Sequence, residues 1–174
     1  AKAPNGEVYI VAKERLGRVA EMGGYEGFEV LAEMKGSEFE FMTAQHPLID
    51  RESVVILGDH VTLDAGTGCV HTAPGHGQED YEICRKYDAE GKIHIGMTVP
   101  VDDHGLMNEE AGKYCGLTTD QANEAIFNDL QACGALYASE DIIHQYAHCW
   151  RCKNPIIYRA STTGRGRPSG AMTA

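Results

Sequence analysis

Apolar residues recur at helical spacing in three stretches. Between Lys13 and Met22, Leu16, Val19 and Ala20 fall on one face, and Gly23-Gly24 ends the run. Between Gln78 and Tyr87, Tyr81 and Cys84 share a side of an expected helix. The strongest pattern runs from Thr118 to Ala135, where Ala122, Ala125, Ile126, Leu130 and Cys133 form a stripe. Thr118 followed by Gln121 resembles a capping box, and Gly134 suits the helix C-cap. Elsewhere the pattern is strand-like and short: Glu7 to Lys13, Phe28 to Met34, Glu38 to Met42, Ser53 to Leu57, Val61 to Leu63, Cys69 to Thr72, Asp141 to Tyr146 and Pro155 to Arg159. Residues 88–117 are rich in glycine and turns. The fold class expected is mixed α/β, with many short strands early and single helices inserted later. No GxGxxG follows a strand, which argues against a dinucleotide fold.

The 174 residues suit one domain with a small appendage. We expect that domain at 1–161. Residues 162–174, rich in Gly, Ser and Thr without periodicity, are expected to be a flexible tail or remnant. No apolar run reaches the roughly 18–20 residues a membrane helix needs, and the first residues lack the form of a secretory signal. No membrane partner is expected. Fifteen Lys+Arg against 26 Asp+Glu leave a net charge of −11. That balance is wrong for gripping duplex DNA, because such binding needs clustered cations on phosphates. A nucleic-acid substrate would be met locally, at an end or a single strand.

Six cysteines (Cys69, Cys84, Cys115, Cys133, Cys149 and Cys152) are irregularly spaced apart from Cys149-Trp150-Arg151-Cys152. A chain of this length needs no disulfide framework, so a reducing, cytoplasmic setting is expected. The first four are expected to be buried small hydrophobes, with Cys84 no nucleophile.

The densest chemistry lies in His71-Thr72-Ala73-Pro74-Gly75-His76-Gly77-Gln78-Glu79-Asp80-Tyr81. A strand ends at His71, Pro74 and Gly75 turn the chain, Gly77 permits close approach, and a helix begins with Asp80 in its first turn. Strand end, glycine-rich turn and helix start together make a pocket floor. An ionised Asp80 there suits a cation such as an α-ammonium, with His71 facing the same cavity. The plainer account is that Asp80 serves the helix dipole and His71 is structural.

This segment, HTAPGHGQEDYE preceded by GDHVTLDAGTGCV, resembles the editing domain inserted into isoleucyl-tRNA synthetases. The likeness continues to HQYAHCWRCKNPIIYRAS and covers roughly residues 6–161. The valine and leucine relatives share the Gly-His turn and the final Asp, and HTAPGHG favours the isoleucine enzyme. The resemblance implies a β-barrel-like core of short strands with a few inserted helices. It implies hydrolysis of mischarged valyl-tRNA(Ile) by a double sieve, for which the isoleucine enzyme is a standard example. Asp80 would anchor the amino group and His71 would exclude isoleucine; these two are the candidate catalytic pair. His71, Thr72, Gly75, His76 and Asp80 would form the substrate-binding set. No cofactor is expected for editing: a positioned water attacks the carbonyl, aided by the terminal ribose hydroxyl. The family's threonine-rich pocket segment lies upstream of the matched stretch, so the chain is expected to be a fragment without it. Thr118-Thr119 and Thr162-Thr163 do not replace it.

The partners implied are the valine-bearing CCA end of tRNA(Ile), read as a single strand, and the rest of the synthetase in cis. The whole enzyme would be an ATP-binding ligase of protein biosynthesis. Cys149 and Cys152 are half of a zinc-ribbon pattern, which needs four ligands. The family supplies the other pair upstream, so a structural zinc is expected only in the full-length enzyme. Two other readings stay open: a module that binds the aminoacylated tRNA end without hydrolysis, and a metal-dependent hydrolase using His71, His76 and Asp80, which their spacing disfavours.

Overall fold

The computed structural model describes residues 1–64, 66–141, 143, 145–163 and 167–169. The chain divides into two compact units, Ala1–His71 with Asn128–Glu140, and Thr72–Phe127 with Asp141–Ala174. The architecture is mixed α/β. Among the described residues the strands form two separate two-stranded antiparallel sheets.

In the first unit, a 3-10 turn (Lys13–Arg15) leads into helix α1 (Leu16–Met22). Val19 and Ala20 of α1 are buried together with Ala3. Beside them, Tyr9 stacks on Phe28 at 5.6 Å between ring centroids and meets Tyr137 edge-on at 5.0 Å. The Tyr137 hydroxyl donates to the Val19 carbonyl, 2.6 Å away, at the end of α1. Gly23 makes room for that hydroxyl, because a Cβ there would overlap it. Strands β1 (Thr43–Gln45) and β2 (Glu52–Val54) form a hairpin in register Thr43↔Val54 to Gln45↔Glu52. His46 closes it: its N–H donates to Arg51 O (2.9 Å), and its Nδ1 accepts the N–H groups of Leu48 and Ile49, each at 3.1 Å.

The second unit holds helix α2 (Gln78–Ala89), a 3-10 segment (Glu109–Tyr114) and most of helix α3 (Thr119–Ala132). Among the described residues, its buried hydrophobic side chains are Cys84, Tyr87, Val101, Tyr114 and Ala122. A tight turn precedes Leu106, where Asp102 Oδ1 accepts the N–H groups of Leu106 and His104 at 2.9 and 2.8 Å. Those bonds hold the Asp102 carboxyl below its ordinary range. Strands β3 (Ser161–Thr163) and β4 (Arg167–Ser169) pair antiparallel.

The helices appear where the periodicity places them. α3 begins at the expected box: Thr118 N–H donates to Gln121 Oε1 (3.0 Å) and Gln121 N–H to Thr118 Oγ1 (3.2 Å). It ends at Gly134, whose φ of 74° is the left-handed cap. The strands fare less well. Ser53 to Leu57 is realised only at Ser53 and Val54, within β2, and Glu38 to Met42 begins inside a 3-10 turn (Gly36–Phe39), because Glu38 Oε2 accepts the Lys35 N–H at 2.7 Å. Glu7 to Lys13 and Phe28 to Met34 reach only single bridges, Lys2↔Val8 and Lys2↔Glu29. Val61 to Leu63 and Cys69 to Thr72 form no strand. A strand needs a partner and a covered face, yet Val8, Ile10, Val30 and Leu31 are all more than half exposed. The expected strand Asp141 to Tyr146 includes Ile142 and His144, which lie outside the described residues. The expected tail contains part of β3 and all of β4, while 164–166 and 170–174 lie outside the described residues. Of the four cysteines expected in the interior, only Cys84 is there; Cys69, Cys115 and Cys133 are exposed.

Burial, followed by the charges of Arg51 and His71, holds His46 below the ordinary imidazole range. A protonated ring cannot accept at Nδ1, so acid removes both hairpin bonds. The unfolded chain takes up this proton more readily, so the contribution is complete above pH about 6.5 and is lost as pH falls below it. The protection factors of the β1 and β2 amides, with the intrinsic pH dependence of exchange divided out, are expected to fall between pH about 6.5 and 5. His46→Asn, whose Oδ1 accepts in the same place, is expected to flatten that dependence. His46→Ala is expected to cost the hairpin about 1 kcal/mol at neutral pH.

Candidate functional site

From Thr72 onward the chemistry-bearing run folds into one compact loop in the second unit. Ala73 O accepts the N–H groups of His76 and Gly77, both at 2.9 Å, which wraps residues 73–77 into a turn. Ala73 N–H in turn donates to Asp80 Oδ2 at 3.0 Å. Tyr81 N–H donates to Gly77 O at 2.9 Å and starts α2. Gly77 is the N-cap residue and offers no side chain, so the carboxylates of Glu79 and Asp80 are the negative charges at the positive end of the helix. An open cavity of about 510 Å³ lies here, lined by Gly77, Gln78, Glu79, Asp80 and Glu82. Three carboxylates on so small a wall favour a cationic guest.

Two later segments hold the loop from the other side. Gly75 is buried, and a Cβ there would collide with the Thr98 carbonyl and stand 3.1 Å from Val99 Cγ2. Gly75 O accepts the Ala160 N–H at 2.7 Å. His76 Nδ1 lies 2.8 Å from the Tyr158 carbonyl.

The structure therefore joins Gly75, His76 and Asp80 in one hydrogen-bonded loop, with Thr72 half-buried at its start. His71 is exposed and closes the first unit, where its charge is felt by His46. Asp80 does act on the backbone, as the plainer account held, but through Ala73 ahead of the helix. Cys84, four residues on, is buried; burial and then the Asp80 charge push its thiol up, so it stays protonated and unsuited to attack. The expected strand Pro155 to Arg159 reaches only the isolated bridge His148↔Pro155, and nothing in its pattern signals that Tyr158 and Ala160 fasten the pocket turn. Backbone contacts across that separation leave no periodic signal.

The Cys pair sits in a separate knuckle. Cys149 N–H donates to Asn154 O (2.8 Å) and Lys153 N–H to Cys149 O (2.9 Å), with Lys153 at φ 63°. The N–H groups of Cys152 and then Arg151 point at the Cys149 sulfur, and with the Cys152 thiol they lower its pKa. That favours a metal-binding thiolate, yet no group of three or more His, Cys, Asp or Glu that could hold a metal occurs among the described residues. Two sulfurs do not make a tetrahedral zinc site. His148 turns its Nδ1 to Tyr146 O at 3.0 Å, and His144 lies outside the described residues. No described helix is long and apolar enough to cross a membrane.

A family model described as leucyl-tRNA synthetase, editing domain, matches residues 26–139, which include the whole 73–80 loop. The chain belongs to this editing-domain family. Within the family it is similar to isoleucine–tRNA ligases. It is 50% identical to that of Caldicellulosiruptor bescii over 155 residues, covering 89% of this chain and 16% of the relative. Identity to the Moorella thermoacetica ligase is also 50% with the same coverage, and the Bacillus cereus protein is 50% identical over 157 residues, 90% of this chain and 16% of that one. The chain thus spans 16% of the length of these relatives. The resemblance read from HTAPGHG is upheld by these matches.

For this editing-domain chain, Gly75→Ala is expected to destabilise by about 1–3 kcal/mol through the forced shift at Thr98. Urea unfolding checks it: an unchanged midpoint would show that the crossing is looser than described.

Proposed function

We propose that this chain is the post-transfer editing module of an isoleucyl-tRNA synthetase, hydrolysing the ester of valyl-tRNA(Ile). The observation that carries the reading is Asp80: a carboxylate pinned by the Ala73 N–H at the helix start, lining an open cavity. Around it runs a loop that lies within the stretch matched by the editing-domain family model.

In this reading the substrate's α-ammonium binds Asp80 and the carboxylates beside it, which fixes the aminoacyl ester. A water then attacks the ester carbonyl carbon. The new bond is carbon to water oxygen, and the bond broken joins that carbon to the ribose oxygen. The water's proton passes to the ribose oxygen, giving free valine and tRNA with its hydroxyl restored. The neighbouring ribose hydroxyl helps to place the water. No covalent enzyme intermediate is required, so the chain contributes mainly orientation. His71, on the motif alone, is proposed to exclude isoleucine, and Thr72 and Gly75 complete the substrate-binding set, with His76 shaping their turn. The barrel-like arrangement of short strands, the single-stranded CCA end as ligand and the remainder of a synthetase as partner in cis belong to the same proposal. So does a structural zinc completed by ligands from elsewhere in such a synthetase.

Asp80→Asn keeps an oxygen for the Ala73 N–H and removes only the charge. Its affinity for a non-hydrolysable valyl-aminoadenosine is expected to fall roughly 10- to 150-fold, the loss of about 1.5–3 kcal/mol for a charge-assisted bond. Calorimetric titration reads this directly. Equal affinity in variant and parent would remove Asp80 from ammonium binding.

A further inference from the structure

His76 belongs to the substrate-binding set by its place in the motif, but its ring is occupied elsewhere. Nδ1 lies 2.8 Å from the Tyr158 carbonyl oxygen, an atom that only accepts. Nε2 is enclosed and has no hydrogen-bond partner among the described residues. Of the two neutral tautomers, the one protonated at Nε2 would face lone pair to lone pair across 2.8 Å at Nδ1 and enclose an N–H without an acceptor. The Nδ1–H tautomer makes the bond and leaves Nε2 as a bare acceptor. A second bond lies alongside, from Ala160 N–H to Gly75 O at 2.7 Å. Two consecutive residues of the pocket turn are therefore tied to residues 158 and 160, while the space a Cβ on Gly75 would need is taken by the Thr98 carbonyl.

We propose that His76 is a positioning residue, whose neutral Nδ1–H tautomer clips the 73–77 turn to the Tyr158–Ala160 segment and so sets where Asp80 stands. His76 does not touch substrate in this account. It acts through Ala73, whose carbonyl accepts the His76 amide and whose N–H holds Asp80. The clip itself is independent of the editing reading; only its effect on hydrolysis rests on that reading.

The test compares the whole chain with His76→Asn and His76→Gln. The Asn side-chain amide can stand where Nδ1 stands and donate to Tyr158 O, whereas the Gln amide reaches toward the Nε2 position. Long-range proton–nitrogen NMR of the labelled parent, at pH about 8 where free imidazole is neutral, is expected to show the His76 ring protonated at Nδ1. The Ala160 amide is expected to exchange slowly in the parent and in His76→Asn, and at least about tenfold faster in His76→Gln, the scale of one lost hydrogen bond. A ring protonated at Nε2, or equal Ala160 exchange in all three proteins, overturns the clip even if the chain hydrolyses nothing. Where valyl-tRNA(Ile) is hydrolysed, His76→Asn is expected to stay within about threefold of the parent and His76→Gln to lose about tenfold in kcat. Equal loss in both, with the Ala160 amide still protected in His76→Asn, would show that Nε2 meets substrate and overturn the positioning role.

Discussion

Everything at the candidate site depends on a backbone crossing at Gly75. Three segments meet where only a hydrogen atom fits: the pocket turn, the Thr98–Val99 stretch and the Ala160 amide. A side chain at this point would push the turn off one neighbour or the other. Protein interiors yield little to such insertion, so the turn has one place to be. The position of Asp80 follows, because its carboxylate is held by Ala73 at the other end of the same turn.

Asp80 then serves two ends at once. Its hydrogen bond to Ala73 closes the loop that precedes α2, and its charge lies at the helix N-terminus, where negative charge is stabilised. A residue that shapes its own pocket couples fold to chemistry. Removing the whole side chain confounds the two, and changing it to Asn separates them. The same distinction applies to His76, whose Asn and Gln replacements share chemistry and differ in reach.

The helices were legible in the sequence because each carries its own information. α3 shows a stripe, a capping box and a terminal glycine within one stretch, and all three are realised. The strands were not, because a strand is defined by what lies beside it. Val8, Ile10, Val30 and Leu31 alternate or cluster as a strand would, yet they remain exposed, and of the four only Val8 forms even an isolated bridge. Gly75, His76 and Asp80 were found through their motif, and the loop joins them. The fastening by Tyr158 and Ala160 was invisible, since it runs through backbone carbonyl and amide groups that any residue carries. Cys69, Cys115 and Cys133 lie on the surface because the segments holding them found no covering layer.

The editing reading stands or falls on a turnover measurement with both aminoacyl-tRNAs. Initial rates of deacylation of valyl-tRNA(Ile) and isoleucyl-tRNA(Ile) by this chain, with a chelator present and Asp80→Asn alongside, test it directly. The account predicts faster release of valine than isoleucine, undiminished by the chelator and lost in the variant. Tight binding of the valyl ester without release, or equal hydrolysis of both esters, would contradict it.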